Sequence, residues 1–317
     1  MTKEYLPTGT IPANLLPFTE DLDIDEAGLR RHLSWLAAVP KVTAIVQNGH
    51  AAEVSSLDRD EKKRVMAITM SEVGDRLPII AGVDADGSLE AAQQAKDAKE
   101  EGARAILVLP PVIFGRGAEL RPQTAYAHFA TIADKADIPL VIFQYPIGQG
   151  GYTTDTLVML AEKIPQIVGI KDGSSDIVVF ERNLRALHSL PRKFSVLTTY
   201  TTALYSTLLL GSDGLISGMG SVAADLQAEL FATVQRTDLK KAQEINSRLF
   251  PMCQVFYKAP RLDMHNRMKE ALVMLGRLDR AVVRPPLVPI DDSEREGIRR
   301  ALIKAKLLSA IPSGARV

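Results

Sequence analysis

The chain has 317 residues, 46% of them hydrophobic, enough material for one large buried core. Its 38 basic and 38 acidic residues cancel, which argues against nucleic acid or an anionic membrane as a partner and for a small ligand. Cys253 is the single cysteine, so an intrachain disulfide and a cysteine-rich zinc site are excluded and a cytoplasmic location is expected.

The residues from Met1 to Leu6 carry no long apolar region, and no run approaches the roughly 18 apolar residues of a membrane span. Ile11–Leu16 is then a first strand candidate, followed by an amphipathic run over Asp25–Ala38. The alternation continues with Ala44–Gln47 and Asp60–Val73, Ile79–Gly82 and Ser88–Glu101, Ala105–Leu109 and Thr124–Ala136, and Leu140–Gln144 and Thr154–Lys163. Ile167–Lys171, Ser195–Thr199 and Gly214–Ser217 complete the strand candidates. Asp25 and Thr154 are helix-start signals, and Pro78, Pro139 and Pro165 stand just before strands. Such strand–helix repeats, eight in about 230 residues, predict a (β/α)8 TIM barrel. The competing open, doubly wound sheet lacks a G-x-G-x-x-G after its first strand. Beyond the eighth strand only helical patterns follow, at Asp225–Gln235, Leu239–Phe250, Met264–Leu275 and Asp292–Leu308, with Pro286–Pro289 as a linker and 311–317 as a frayed end. The expected division is a barrel over 1–235 and a C-terminal helical extension over 236–317.

Val168-Gly-Ile-Lys-Asp172 places one lysine at the end of a strand. A solvated lysine, with a pKa near 10.4, is almost wholly ammonium at neutral pH and does not attack a carbonyl. Burial in an apolar pocket disfavours the charge, and the free amine can then condense with a ketone. The bland alternative is a strand-end lysine paired with Asp172 or reaching to water. The five histidines, at 32, 50, 128, 188 and 265, show no ligand spacing, so no metal is expected, and the chemistry of an imine calls for no other cofactor.

In order along the chain stand Leu16-Pro-Phe18, Gly49-His-Ala-Ala-Glu53, Ala81-Gly-Val83, Leu109-Pro-Pro111, Phe143-Gln-Tyr-Pro146, Gly169-Ile-Lys-Asp172, Gly211-Ser-Asp-Gly-Leu-Ile-Ser-Gly218 and Met268-Lys-Glu-Ala-Leu-Val-Met-Leu-Gly276. Each is weak alone, but their order resembles the dihydrodipicolinate synthase and N-acetylneuraminate lyase family of Schiff-base aldolases. The resemblance implies a barrel with Lys171 pointing into its C-terminal mouth, a 2-keto acid substrate, and self-association as a tetramer or dimer. It also implies that Glu53 ties loops together. The family's usual Gly-Thr-Thr-Gly-Glu turn reads His50 and Ala51 at the two hydroxyl positions, so carboxylate binding falls to backbone N–H groups. Its usual tyrosine at strand five reads Phe143, and Tyr145, two residues on, is the candidate replacement proton carrier. The arginine of dihydrodipicolinate synthases is absent, the position being Gly148, which counts against that reaction for this chain. His50 either exchanges protons with substrate or is a loop histidine bonded to backbone. Gln144 either binds a substrate oxygen or points away. Ser217 and Gly218 are expected beside the imine, and Tyr200 and Thr201 at the mouth. The reaction expected is pyruvate-type aldol cleavage or condensation, with dehydration of a 2-keto-3-deoxy sugar acid as the alternative and a non-catalytic keto-acid-binding relative as the reading from another class.

Overall fold

The computed structural model describes residues 5–309, so the expected frayed end at 311–317 lies outside the described residues. The strands are β1 Gly9–Pro12, β2 Ile45–Gln47, β3 Ile79–Val83, β4 Ala105–Val108, β5 Leu140–Gln144, β6 Ile167–Asp172, β7 Ser195–Thr198 and β8 Gly214–Ser217. The helices are α1 Glu26–Ala38, α2 Arg59–Val73, α3 Ser88–Glu100, α4 Pro122–Ala136, α5 Thr154–Lys163, α6 Ile177–His188, α7 Leu204–Leu209, α8 Gly220–Gln235, α9 Leu239–Phe256, α10 Met264–Met274 and α11 Asp292–Lys304. All strands run parallel, each beside its chain neighbour from β2 round to β8, and β8 pairs with β1. The ring closes where Thr43 N–H donates to Thr10 O at 3.0 Å and Asn14 N–H donates to Val46 O at 2.9 Å. This is the expected (β/α)8 barrel.

Alternation divides each strand between two apolar cores. Val46, Ile80, Leu107, Val141 and Leu197 fill the barrel interior, whereas Ile45, Ile79, Ile106, Ile142 and Val196 pack outward under the helices. Four of the outer helices, α1, α2, α5 and α6, start on side-chain caps: Asp25 accepts from Gly28 N–H on α1, and Asp58 and Glu61 form a reciprocal capping box on α2. The cap of α5 is Thr153, one residue before the expected Thr154.

Several boundaries differ from the sequence reading. β1 begins at Gly9, ahead of Ile11, and Ala13 onward makes only an isolated bridge. α6 and α7 are absent from the sequence reading: α6 opens on the β-branched Ile177-Val-Val, although Asp176 caps it and Phe180, Leu184 and Leu187 repeat on its buried face, and α7, with six residues, is too short to display a period. α8 starts at Gly220 rather than near Asp225, and bends at Ala223, whose backbone (φ −133, ψ 47) leaves the helical region. α9 does not stop at Phe250; it carries Pro251 inside it and ends at Phe256. A proline forfeits one helical hydrogen bond, and burial of Met252, Cys253 and Phe256 against the barrel offsets that loss. α8 is the eighth outer helix. Ile245, Leu249, Met268 and Leu272 of the extension then share one buried cluster with Ile11, Leu215 and Ile216 of the barrel.

Candidate active site

Strand register places the central lysine. Phe143 pairs with Lys171 and Gln144 with Asp172, so Phe143 and Lys171 share the interior parity and Gln144 and Asp172 face out. The outward Asp172 accepts from Ser174 N–H and Asn183 Nδ2, both at 2.8 Å. It is therefore not the ion partner of Lys171. Lys171 is 5% exposed, and among the described residues no carboxylate lies within 4.0 Å of its Nζ. Its amine stands 3.6 Å from the centroid of the Phe143 ring. Burial lowers its pKa to about 7.

This amine lines a cavity of about 260 Å³ at the C-terminal ends of the strands. Of the expected residues, His50, Ala51, Phe143, Tyr145 and Gly218 line the same cavity, as do Tyr200 and Thr201. The Tyr145 ring meets Phe143 edge to face, with centroids 4.5 Å apart, and burial raises its phenol to about 12. Burial first, and then the Lys171 charge, lower the His50 imidazole to about 4. His50 is thus neutral at pH 7 and is no reservoir of acid.

Two expected substrate contacts are corrected. Gln144 does not face the cavity: its side-chain amide donates to Tyr152 O at 2.7 Å and accepts from Tyr152 N–H at 2.9 Å. Ser217 sits one layer behind the wall, accepting from Gln227 Nε2 at 3.0 Å with its Oγ 3.3 Å from Thr201 Oγ1. Tyr152 is buried against Phe129 of α4.

The turn carrying His50 and Ala51 is held from below and behind. A Cβ on Gly82 of β3 would fall 2.0 Å from Asn48 O, so only glycine lets the turn cross this close to the strand. Glu53 takes a left-handed backbone (φ 53), accepts from Arg284 N–H at 3.0 Å, and pairs with the buried Lys269 of α10. It ties the turn to the extension. The N–H groups of His50 and Ala51 open a 3₁₀ turn at His50–Ala52, where no preceding carbonyl of that turn is available to them.

Sequence reasoning missed the wall contributed by the extension. Tyr257, Arg261, Met264, His265 and Met268 all line the cavity. The His265 ring packs edge-on to His50 at 4.7 Å between centroids, and burial holds it well below the usual imidazole value. Tyr257 accepts from Met219 N–H at 3.3 Å and is hydrogen-bonded to Thr201 and Ser217. Met264, His265 and Met268 are spaced as one face of α10, with Arg261 in the 3₁₀ turn before it, but nothing local says that this face roofs the barrel mouth. Among the described residues, no helix is long and apolar enough to cross a membrane, and no group of three or more His, Cys, Asp and Glu is placed to hold a metal ion.

The fold and the cavity define a (β/α)8 barrel with a buried amine at its C-terminal mouth, the end where barrel enzymes carry their chemistry. The chain is 31% identical over 303 residues to 4-hydroxy-tetrahydrodipicolinate synthase of Methanopyrus kandleri, covering 95% of this chain and 97% of that one. It is 27% identical over 310 residues to the putative 2-dehydro-3-deoxy-D-gluconate aldolase YagE of Escherichia coli K12, covering 97% and 100%. The crystal structure of YagE in complex with pyruvate matches it with a TM-score of 0.88 at 26% identity, over 96% of this chain and 100% of that one. The chain belongs to the dihydrodipicolinate synthetase family, whose model matches residues 6–305, and it is a lyase of that family.

Proposed function

We propose that this enzyme joins Lys171 to a 2-keto acid as a Schiff base and makes or breaks a carbon–carbon bond of the pyruvate type. The observation that carries the reading is the Lys171 amine: buried at the cavity floor, without a carboxylate partner among the described residues, and brought to about 7 by that burial. At neutral pH such an amine is in large part uncharged and nucleophilic.

The Lys171 nitrogen adds to the C2 carbonyl, and loss of water leaves a protonated imine. The keto acid carboxylate lies against the N–H groups of His50 and Ala51, a turn that presents donors without committing a side chain. For cleavage, the C4 hydroxyl gives up its proton, the C3–C4 electrons flow to the imine nitrogen, and the aldehyde leaves. The enamine then takes a proton at C3, and water hydrolyses the imine to release pyruvate and Lys171. Tyr145 is the proton carrier in this reading, its neutral phenol facing the cavity beside the Phe143 ring. Neutral His50 orients or accepts a proton from the hydroxylated end.

Dehydration of a 2-keto-3-deoxy sugar acid shares the imine but expels the C4 hydroxyl as water. Its support is the hydrocarbon ring of Phe143 beside the amine, a position without a hydroxyl to serve aldol cleavage. Incubation with pyruvate and borohydride, followed by intact mass, tests the common step. Wild type gains one reduced pyruvate and Lys171→Ala gains none; no adduct with pyruvate or longer 2-keto acids refutes the mechanism. A Lys171→Ala protein that binds and behaves as wild type identifies a non-catalytic keto-acid binder. Released aldehyde and pyruvate, as against an unsplit dehydrated product, separate the two lyase reactions.

A further inference from the structure

The charge of the cavity wall is one-sided. Among the described residues its lining contains one standing cation, Arg261, beside the desolvated Lys171 amine, and no aspartate or glutamate. Asp84 acts on His50 and Tyr145 from outside the lining, and its carboxylate already accepts from Ser55 Oγ at 2.8 Å. The two histidines in the wall, His50 and His265, are both held uncharged near neutral pH by burial, so they serve hydroxyl groups better than anions.

Arg261 is the cation left over by its neighbourhood. Lys258 pairs with Glu294 at 2.8 Å, and the fully buried Arg267 pairs with the same carboxylate at 2.7 Å. Arg267 also donates to Lys258 O at 2.9 Å and Pro260 O at 3.1 Å, which pins the backbone leading into Arg261. Arg261 itself makes no side-chain hydrogen bond or ion pair among the described residues. It lies in the 3₁₀ turn Arg261–Asp263 that leads into α10, and it lines the cavity together with His265 and Met268 of that helix. A guanidinium held at the rim of a carboxylate-free cavity, with its donors unspent, matches a planar or phosphoryl anion.

We propose that Arg261 binds a second anionic group, a carboxylate or a phosphate, at the end of the substrate remote from the keto acid, and so sets the substrate class as acidic. The proposal rests on the imine reading, because the near end of the substrate is defined by Lys171. The remote group then lies under the extension, with the hydroxyl-bearing middle of the substrate passing the His50–His265 pair.

The test is borohydride trapping with 2-oxoadipate and with 2-oxohexanoate, which has the same chain length without the second carboxylate. A 2-oxo acid ending in a phosphomonoester forms a second arm that distinguishes the two anions. In wild type, the half-saturating concentration is expected to be lower for an acid-terminated probe by about tenfold or more, the range of a charge-assisted hydrogen bond. Arg261→Gln is expected to bring the ratio to about one, and Arg261→Lys to restore part of it. Arg261 is exposed and unbonded, so neither change threatens the fold. If wild type traps 2-oxo acids but shows no preference for either acid-terminated probe, or keeps the preference in Arg261→Gln, the anchor is refuted while the imine stands. If no probe is trapped at all, the imine reading fails and the anchor fails with it.

Discussion

Replacing Lys171 with methionine should stabilise the protein, and the gain should depend on pH in one direction. The lysine carries its charge into a site walled by Phe143, and burial alone lowers its pKa from 10.5 to about 7. That gap corresponds to roughly 5 kcal/mol of unfavourable interaction for the charged form in the folded state. Water reaching the cavity floor screens part of it, so Lys171→Met is expected to gain about 2–4 kcal/mol at pH 6. Below pH 7 the side chain is protonated in both folded and unfolded chains, and wild type bears the full penalty. Between pH 7 and about 10 the unfolded lysine holds a proton that the folded one has released, so wild type becomes more stable by about 1.4 kcal/mol per pH step. The advantage of the methionine variant therefore fades across that window. Urea unfolding of both proteins at pH 6, 7.5 and 9 reads the difference, in which titrating groups remote from Lys171 cancel; His50 and His265, which the lysine charge helps to hold down, stay neutral in the pH 7.5 and 9 comparison. A variant less stable than wild type at pH 6, or a difference that does not change with pH, would refute the desolvated amine and with it the reason for assigning chemistry to Lys171.

The same amine predicts that the rate of pyruvate trapping climbs through pH 7 and levels above about pH 8, whereas an ordinary lysine would keep gaining toward pH 10; a rate still rising steeply at pH 9 contradicts it. Tyr145→Phe should slow deuterium exchange at the pyruvate methyl group, followed by NMR, by about 10²–10⁴-fold while leaving a borohydride adduct, and Lys171→Ala should abolish both. Exchange at the wild-type rate in Tyr145→Phe would pass the proton role to another group, Tyr200 and Tyr257 being the other phenols in the wall. Glu53→Gln removes the carboxylate from Lys269, whose side chain is fully buried, and should cost about 3–5 kcal/mol in urea unfolding. Adding Lys269→Met to that variant should recover most of the loss, and no recovery would mean that Glu53 acts through Arg284 instead.

The barrel was legible because its signal is periodic: each strand alternates between an inner and an outer apolar core, and each long helix repeats its apolar face. α6 and α7 escaped for local reasons, a β-branched opening and a short length. The site was legible where strand parity governs it. Parity put Lys171, Phe143 and Tyr145 on the cavity side, and the same rule sends Gln144 outward to the Tyr152 backbone. It was illegible where the wall comes from far along the chain. His265 meets His50 across 215 residues of sequence, and only the docking of α10 over the mouth brings them together.

That docking explains how the cavity wall can differ from the family pattern while the turn that faces Lys171 stays in place. Lys269 donates to Glu53 and to Val282 O, and its ammonium lies 4.4 Å from the Phe18 ring. Arg284 stacks on the same ring at 4.5 Å and reaches Glu61, the capping residue of α2, through two hydrogen bonds of 2.8 and 2.6 Å. Three of the marker segments, those holding Phe18, Glu53 and Lys269, thus converge on one buried cluster beside the site. The turn at His50 is fixed by this cluster and by the close crossing over Gly82, not by the side chains at 50, 51 or 143. Those positions can exchange hydroxyls for an imidazole, a methyl and a phenyl ring without displacing the backbone donors from the amine. The departures therefore fall on the side chains around the imine, at the carboxylate turn and beside the amine, and leave the backbone that positions both unchanged, so the Lys171 trap and the Arg261 preference probe the two ends of the substrate separately.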